Sequence, residues 1–458
     1  MKTLPLCLFF IAILSTASLA QERDTVSHKP ERLVQATLGL RSYWMSTGYW
    51  EDYKGDFALG QSAFLRLKTR EFKGFSLVGR YAKFANLWSS DLSAPDPVTN
   101  NVNRYEVGLF DVNNPSDRLF GKLEELQLRY RSDRFDAVVG RMDINTPFIN
   151  PQDGRLSPTF VEGVRLTFKP EKKNSLSAQY ISRISPRSTS AWFRVGETIG
   201  VYPVGQGASG GPSNYQGNTT SRFVTVVDWI HQNNADVQVQ LNHTYVDNIS
   251  STVFLQALKE WQLTTNQRLV AGFQFTSQHG VGEGGNSDPA KRYKNPDDFN
   301  FVIGSRVGVR SKRTTWWLNY SRIDGRGRFL HPREWGKDPF FTFIPRERNE
   351  GFSDVNAFTA YYQRNVPAKG LQIYGFSGLH FLPDPGNTEV NKYAFPSYAQ
   401  ANLGGRYTPK NWGKGMDFHL ILMSKVNLKS GEMRPQWVYN KVNLLHFNFI
   451  MNYIIQYP

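Results

Sequence analysis

The chain has 458 residues, with 54 lysines and arginines against 39 aspartates and glutamates, a formal charge of +15 and a mean hydropathy of −0.46. Its aromatic content of 14% is high for so polar a chain, a combination typical of a barrel with a lipid-facing aromatic band and a polar lumen, or of an extracellular all-β protein. Beyond Ala20 the sequence has no run of about eighteen apolar residues, which excludes membrane-spanning helices.

The N-terminus has the features of a secretory signal peptide. Lys2 gives a positive start, residues 4–14 are apolar, and Ser18-Leu19-Ala20 forms a small-x-small cleavage site. The single cysteine, Cys7, leaves with this segment, so the exported chain is not a disulfide scaffold. In an exported protein the remaining positive charge points to anionic solutes or anionic lipid rather than to nucleic acid.

We expect three regions along the chain. They are a signal peptide at 1–20, a short periplasmic lead-in at 21–32 and a single domain at 33–458.

Alternation of apolar and polar residues dominates this domain, and helical periodicity is hard to find. Leu126–Arg131 and Leu445–Tyr457 are the clearest cases. The chain contains about eighteen such segments of barrel-strand length. They lie at 35–43, 62–68, 75–82, 126–131, 135–142, 164–168, 176–183, 223–230, 237–242, 252–261, 269–275, 301–310, 315–322, 357–363, 371–379, 399–407, 417–425 and 445–457.

Short and long connections alternate between these segments. A transmembrane barrel has this pattern, with turns at the periplasmic rim and long loops outside, whereas a soluble sandwich mixes hairpins with crossovers. The sequence therefore predicts an all-β, antiparallel transmembrane β-barrel of about 18 strands in the outer membrane. The long connections are expected at 44–61, 84–123, 143–160, 184–221, 276–299, 323–354 and 381–397.

The third long connection, DINTPFINPQDGRLSPTF at 143–160, is unusual for an external loop. Its prolines prevent a helix or a continuous strand, yet it carries five apolar side chains. We interpret it as a loop that folds into the barrel lumen and narrows it; the alternative is a surface loop with its own apolar cluster. The residues assigned to this constriction are Asp143, Pro147, Phe148, Asp153, Gly154, Arg155 and Leu156.

If the apolar positions of the strands face lipid, the alternate positions face the lumen, and many of these are basic. Guanidinium groups in a row could pass an anion from site to site, because each binds a carboxylate or phosphate and can release it. The alternative is that they only pair with lumen acids and brace the wall. The predicted basic ladder is Arg66, Lys68, Arg80, Arg129, Arg131, Arg165, Arg183, Arg306 and Arg310.

A second irregular stretch, Trp335–Gly351, mixes phenylalanines with charged residues and is expected either to roof the pore mouth or to form a plain rim loop. Catalytic patterns are missing from the sequence: it has no HxxxH pair, no GxSxG elbow and no phosphate-cradling glycine loop. We therefore expect no enzymatic activity, cofactor or metal.

Two motifs carry a family resemblance. Asp153-Gly154-Arg155-Leu156, followed by Pro158-Thr159-Phe160 and Gly163, resembles a run in the OprD-type outer-membrane porins of Gram-negative bacteria. Gly336–Phe340 with Phe343–Arg346 is similar to a second family segment. The resemblance implies an eighteen-stranded, mostly monomeric barrel with a narrow constriction and a basic ladder, which takes up carboxylate-bearing solutes such as amino acids, peptides and aromatic acids. Only the first motif matches position by position.

These observations leave two classes of function. The first is a passive channel for small anionic or zwitterionic solutes, with a sugar-selective porin as a variant. The second is a closed barrel that serves as an adhesin or structural protein. Both require outer-membrane lipid and the barrel-insertion machinery as partners, although the ending Tyr457-Pro458 departs from the aromatic terminus that this machinery usually reads.

Overall fold

The computed structural model describes residues 32–151, 155–233 and 236–457. The expected signal peptide and nearly all of the lead-in lie outside the described residues, as do Asp153 and Gly154 of the predicted constriction.

A single antiparallel sheet accounts for nearly all the regular structure, and it closes because β1 pairs with both β2 and the last strand. One strand, β8, has only two residues and extends the wall beside the outer end of β7. The other eighteen form the closed wall, which confirms the predicted barrel. The strands are β1 Val34–Tyr49, β2 Asp56–Thr69, β3 Phe75–Ser89, β4 Leu119–Arg131, β5 Phe135–Met142, β6 Phe160–Glu171, β7 Asn174–Ser185, β8 Phe193–Arg194, β9 Val224–Asn233, β10 Val237–Val246, β11 Ser250–Thr264, β12 Gln267–Gly280, β13 Phe299–Ser311, β14 Thr314–Arg326, β15 Val355–Val366, β16 Leu371–Phe381, β17 Tyr398–Tyr407, β18 Met416–Asn427 and β19 Leu444–Tyr457.

Burial along the strands is the reverse of that in a soluble sheet. On β4, Leu126 and Leu128 are exposed while Gln127 between them is buried. On β12, Phe273 is exposed while Gln274 is buried. Apolar side chains on the outside and polar side chains on the inside are what a wall between lipid and a polar lumen requires.

Helical structure among the described residues is limited to short turns. None of these helices is long and apolar enough to cross a membrane. They are the α-helical turns Val195–Thr198 and Pro435–Val438 and the 3₁₀ turns Val107–Leu109, Pro289–Lys291 and Pro367–Lys369.

The first long connection is shorter than predicted. Residues 44–61 were expected to form a loop, but β1 continues to Tyr49 and β2 begins at Asp56. The reason is that the alternation continues there with polar members: Thr47 and Asp56 are buried inside the barrel and pair across the two strands.

The lumen contains three clusters of buried apolar side chains, each formed by strand residues together with residues of the long connections. The first includes Ile144, Ile149 and Trp335, and the second includes Tyr105, Phe110 and Leu156. The third includes Phe148, Phe329, Phe340, Phe352 and Phe395. Several long connections therefore fold inward and fill part of the barrel.

Candidate functional site

Basic side chains line the lumen face of neighbouring strands. Arg66 of β2 and Arg80 of β3 occupy paired positions in the register, on the same face as buried Val78 and Ala82. The alternation places Arg129 and Arg131 of β4 and Arg165 of β6 on this face too. Arg306 and Arg310 also face the lumen, from β13, far around the barrel. We use the name basic wall for the set on neighbouring strands, which is Arg66, Lys68, Arg80, Arg129, Arg131 and Arg165.

Most of the strand-borne arginines contact carboxylates. The Nε of Arg66 lies 2.5 Å from Glu125 Oε2, and that of Arg80 lies 2.7 Å from Glu124 Oε2. Other ion pairs join Arg129 and Arg131 to Asp136, at 3.1 and 3.3 Å, and Arg310 to Glu260. These five arginines therefore fit the alternative in which lumen arginines pair with acids and brace the wall.

Three predicted ladder residues form no ion pair with any described residue: Lys68, Arg165 and Arg306. Arg165 donates to the backbone carbonyl of Asp143 at 3.1 Å. Arg306 donates to Asn319 Oδ1 at 2.6 Å and to the Phe341 carbonyl at 3.4 Å. Their positive charges therefore remain available to a solute in the lumen.

Arg183 corrects the predicted ladder, because it does not face the lumen. Ser182 is an extra residue at a bulge, which shifts the alternation so that Arg183 pairs with Glu162 on the outward face. Glu162 also accepts a hydrogen bond from Arg141 Nε at 2.9 Å, and Arg141 pairs with the exposed Leu126. A bulge of this kind changes the facing of the residues beyond it.

The described residues of the constriction loop, 143–151 and 155–159, contact opposite walls of the barrel. Leu156 packs on Gly60 of β2, where a Cβ atom would lie only 2.5 Å from Leu156 Cδ1, so the close approach needs glycine. Phe148 packs edge-on against Phe254 of β11, with ring centroids 6.0 Å apart. The described part of this loop is therefore folded inward, as predicted. Pro147 is buried with it, whereas the side chain of Asp143 is exposed.

The Trp335–Gly351 stretch is neither a roof nor a rim loop but part of the lumen filling. Trp335 is 1% exposed, and its Nε1 donates to Thr198 Oγ1 at 2.7 Å. Asn150 of the constriction loop joins this stretch through an amide pair, donating to the Lys337 carbonyl at 2.9 Å and accepting from the Lys337 N–H at 3.0 Å. These contacts fix the two loops against each other inside the barrel.

The inward-folded connections enclose a cavity of about 490 Å³, including its opening to solvent. Four connections contribute to its lining, and six of the lining residues are arginines. We call it the central arginine cavity. It is lined by Arg104, Tyr105, Arg155, Arg187, Tyr202, Pro203, Arg333, Phe343, Arg346, Glu347 and Arg348.

Glu347 is the acid of this lining, and three cations surround it. Arg104 lies 3.0 Å from its carboxylate, Arg333 3.3 Å and Lys425 2.7 Å. Although burial opposes ionisation, these cations hold the pKa of Glu347 well below its ordinary value. Arg333 also pairs with Glu350, at 2.6 Å. Each cation on this side of the cavity therefore contacts a carboxylate of the protein.

The other side of the cavity is crowded with positive charge. Burial, with repulsion from Arg346, lowers the pKa of Arg155. Burial, with repulsion from Arg333, lowers the pKa of Arg348 to about 10, so this guanidinium stays charged at neutral pH. Arg155 also packs over Gly108, where a Cβ atom would approach its Nε to 2.8 Å.

Of the six cavity arginines, only Arg155 was predicted as a site residue. The other five lie on connections, where alternation gives no information about facing, because a loop has no fixed period. One signal was present for Arg346 and Arg348, since the dense apolar run Phe340–Ile344 beside them is unusual for a solvated loop. The described part of the chain has no group of three or more His, Cys, Asp or Glu residues arranged to hold a metal ion.

Comparison with known proteins gives structural matches. No protein-family model matches the sequence, and no curated protein matches it. The Acinetobacter baumannii OccAB3 structure superposes with a TM-score of 0.71 at 15% identity, covering 93% of this chain and 99% of that one. For Pseudomonas aeruginosa OccK9 (OpdG) the TM-score is 0.72 at 13% identity, with 93% and 98% covered.

A third similar structure is Pseudomonas aeruginosa OpdK, solved with vanillate, with a TM-score of 0.69 at 12% identity and with 93% and 99% covered. These neighbours are porins of the OprD and Occ type. At such identities the likeness establishes the fold, so the chain has the closed 18-stranded barrel of these porins, as the sequence resemblance implied.

Proposed function

We propose that this chain is an outer-membrane channel through which small carboxylate-bearing solutes pass passively. One observation carries the proposal: the connections that fold into a closed barrel enclose a cavity lined by six arginines. Guanidinium groups bind carboxylates through paired, charge-assisted hydrogen bonds. A ring of them at a constriction therefore attracts anions and repels cations.

Basic residues on the strands extend the positively charged lining of the lumen beyond the cavity. Arg165 contacts the start of the constriction loop through Asp143, and Arg306 contacts the Trp335–Gly351 stretch through Phe341. Together with Lys68, these residues offer an anion successive contacts along the lumen. The paired arginines of the basic wall serve mainly to brace it. The OpdK structure holds vanillate, a carboxylate, which agrees with this class of solute.

Reconstitution in planar bilayers tests the proposal. We expect the full chain to conduct, with a reversal potential in asymmetric KCl that indicates chloride selectivity, and with block of the current by small carboxylates. Arg306→Gln should lower the chloride selectivity, because it removes an unpaired lumen charge. Arg222→Gln serves as the control, since Arg222 is highly exposed at the outer rim. Cation selectivity without carboxylate block would contradict the proposal.

A closed structural barrel is the second candidate, and the filling of the lumen favours it. Phe329, Trp335 and Ile344 are almost completely buried among the inward-folded loops. For this alternative we expect negligible conductance from the native chain, and conductance only after residues of the constriction loop are removed.

A further inference from the structure

Two guanidinium groups in the central arginine cavity form no ion pair among the described residues. Arg187 and Arg348 are each 6% exposed, and each repels the positive charge of the other. Repulsion and burial together lower the pKa of Arg187 well below its ordinary value.

Arg187 is held in place by a backbone hydrogen bond and by an aromatic ring. Its N–H donates to Thr159 Oγ1 at 3.1 Å, and its guanidinium lies 5.6 Å from the ring centroid of Tyr202. Among the residues that the structure describes, its Nε and Nη1 atoms find no hydrogen-bond acceptor. Buried charged donors without acceptors are costly, so this side chain is arranged for a group that no described residue supplies.

Among the described residues, Arg348 forms hydrogen bonds only with neutral groups. Its Nη1 donates to the backbone carbonyls of Arg333, at 2.7 Å, and of Gly336. These bonds fix the guanidinium in the cavity lining that it shares with Arg187, and the buried acid Asp338 attracts its charge without forming an ion pair with it. The two side chains together therefore present two buried positive charges to one space.

Glu347, the acid of the cavity lining, and its neighbour Glu350 are already engaged. Glu347 contacts Arg104, Arg333 and Lys425, and Glu350 contacts Arg333 and Lys392. Two further buried acids, Asp338 near Arg348 and Glu334 near Arg187, do not line the cavity. A solute that carried an ammonium group into the cavity would therefore meet its guanidiniums, while the lining carboxylate already contacts three cations. Such an uncompensated like-charge contact selects against zwitterions.

We propose that the central arginine cavity selects small dianions, such as dicarboxylates or inorganic phosphate, over monoanions and zwitterions, with Arg187 and Arg348 as the residues that determine this specificity. The inference rests on the proposed function and narrows it, because it removes ordinary amino acids from the preferred solutes. Two negative charges on one solute compensate both guanidiniums at once, which one carboxylate cannot do.

The test measures how strongly succinate, inorganic phosphate, acetate and glycine block the KCl current of the reconstituted full chain. We expect succinate or phosphate to block at a concentration at least about tenfold below that of acetate, because each added charge-assisted hydrogen bond contributes about that factor. Glycine should not block over the same range. Comparison of succinate with phosphate identifies which dianion the geometry suits.

Variants locate the effect. Arg187→Gln should raise the half-blocking concentration of succinate by about tenfold and leave that of acetate within about twofold. Arg187→Lys keeps a positive charge but loses the planar guanidinium. Its half-blocking concentration of succinate should lie between those of the native chain and of Arg187→Gln. Arg222→Gln removes the same charge from the exposed end of the same connection and should change nothing. A shift in gel migration on heating verifies that the barrel of each variant is folded. If Arg187→Gln does not fold, Arg348→Gln is tested in its place.

Each contrary outcome has a distinct meaning. An anion-selective current that acetate and succinate block equally, or that glycine also blocks, overturns the dianion inference and leaves the proposed channel function standing. Equal losses of acetate and succinate block in Arg187→Gln overturn it as well. Absence of current in the folded native chain overturns the channel function and the inference together.

Discussion

On the barrel wall, Arg129 and Arg131 share the carboxylate of Asp136, whereas Arg187 and Arg348 in the central arginine cavity contact no carboxylate of the described chain. The difference arises from how each group is positioned. A strand arginine meets a partner set by the register of its neighbours, so acids can accompany it at fixed positions. The loop arginines come from distant parts of the sequence, and where they converge their charge exceeds that of the available acids. Arg129 and Arg131 are thus structural, whereas Arg187 and Arg348 are the pair that we propose to bind solute.

The largest effect should come from removal of the constriction. Deletion of Thr146–Pro151 takes away Phe148 and the amide pair of Asn150, so the loop no longer crosses the lumen. We expect single-channel conductance to rise by at least about twofold and chloride selectivity to fall, because solutes then bypass the cavity. Arg155→Ala should change both quantities in the same direction, to a smaller extent.

Deletion of residues 430–432, which are exposed on an outer connection, is the matched control and should leave conductance unchanged. Unchanged conductance after deletion of Thr146–Pro151 as well would mean that the cavity is not the narrow point of the pathway.

A stability comparison of two acids sharpens the contrast between wall and cavity. Glu347→Gln leaves Arg104 and Lys425 buried without a carboxylate contact among the described residues, and Arg333 with Glu350 alone. We expect a loss of about 3–5 kcal/mol in the stability of the loop assembly. Asp136→Asn, on the partly exposed wall, should cost no more than about 1 kcal/mol. The stability loss in Glu347→Gln is measured from the urea dependence of trypsin cleavage within residues 327–354. Equal stability losses in Glu347→Gln and Asp136→Asn would mean that the cavity and wall ion pairs do not differ.

The smallest effect concerns pH. Burial raises the pKa of Glu106 and of Glu334 to about 7. Both carboxyls are therefore neutral below this pH and negative above it, so the lumen becomes less positive as pH rises. We expect the chloride-to-potassium permeability ratio to fall between pH 6 and pH 8, by up to about twofold.

The variant Glu106→Gln/Glu334→Gln should weaken this pH dependence, as measured from reversal potentials. It should not abolish it, because burial lowers the pKa of Lys441 to about 7 and this lysine loses its charge in the same interval. A ratio that rises with pH, or a dependence that is as strong in the double variant as in the native chain, would assign the titration to other groups.

The wall of the barrel was predictable because lipid and lumen impose opposite polarities on successive residues. The β4 pattern of Leu126, Gln127 and Leu128 shows this directly, and every predicted strand falls within an observed one except at 223–230, where β9 begins one residue later. The constriction loop was predictable from its proline-broken apolar sequence. Alternation failed where the backbone departs from it, as at the Ser182 bulge, which turns Arg183 outward.

Most of the cavity could not be predicted, because its residues meet only through tertiary folding of long connections. Arg104 and Arg187 lie on separate connections, in stretches without a period that reveals their facing. Trp335 is buried in the lumen, where it donates a hydrogen bond to Thr198, far away in the chain. Such long-range contacts have no local sequence signature.

The two anchors of the constriction loop also determine an order of assembly. Leu156 rests on β2 and Phe148 on β11, and these two walls face each other across the lumen only when β1 has joined β19. The loop therefore cannot reach its final position while the sheet is still open. We expect the barrel to be inserted with an unfilled interior and the loops to settle afterwards, so that the narrow passage is the last part of the molecule to form.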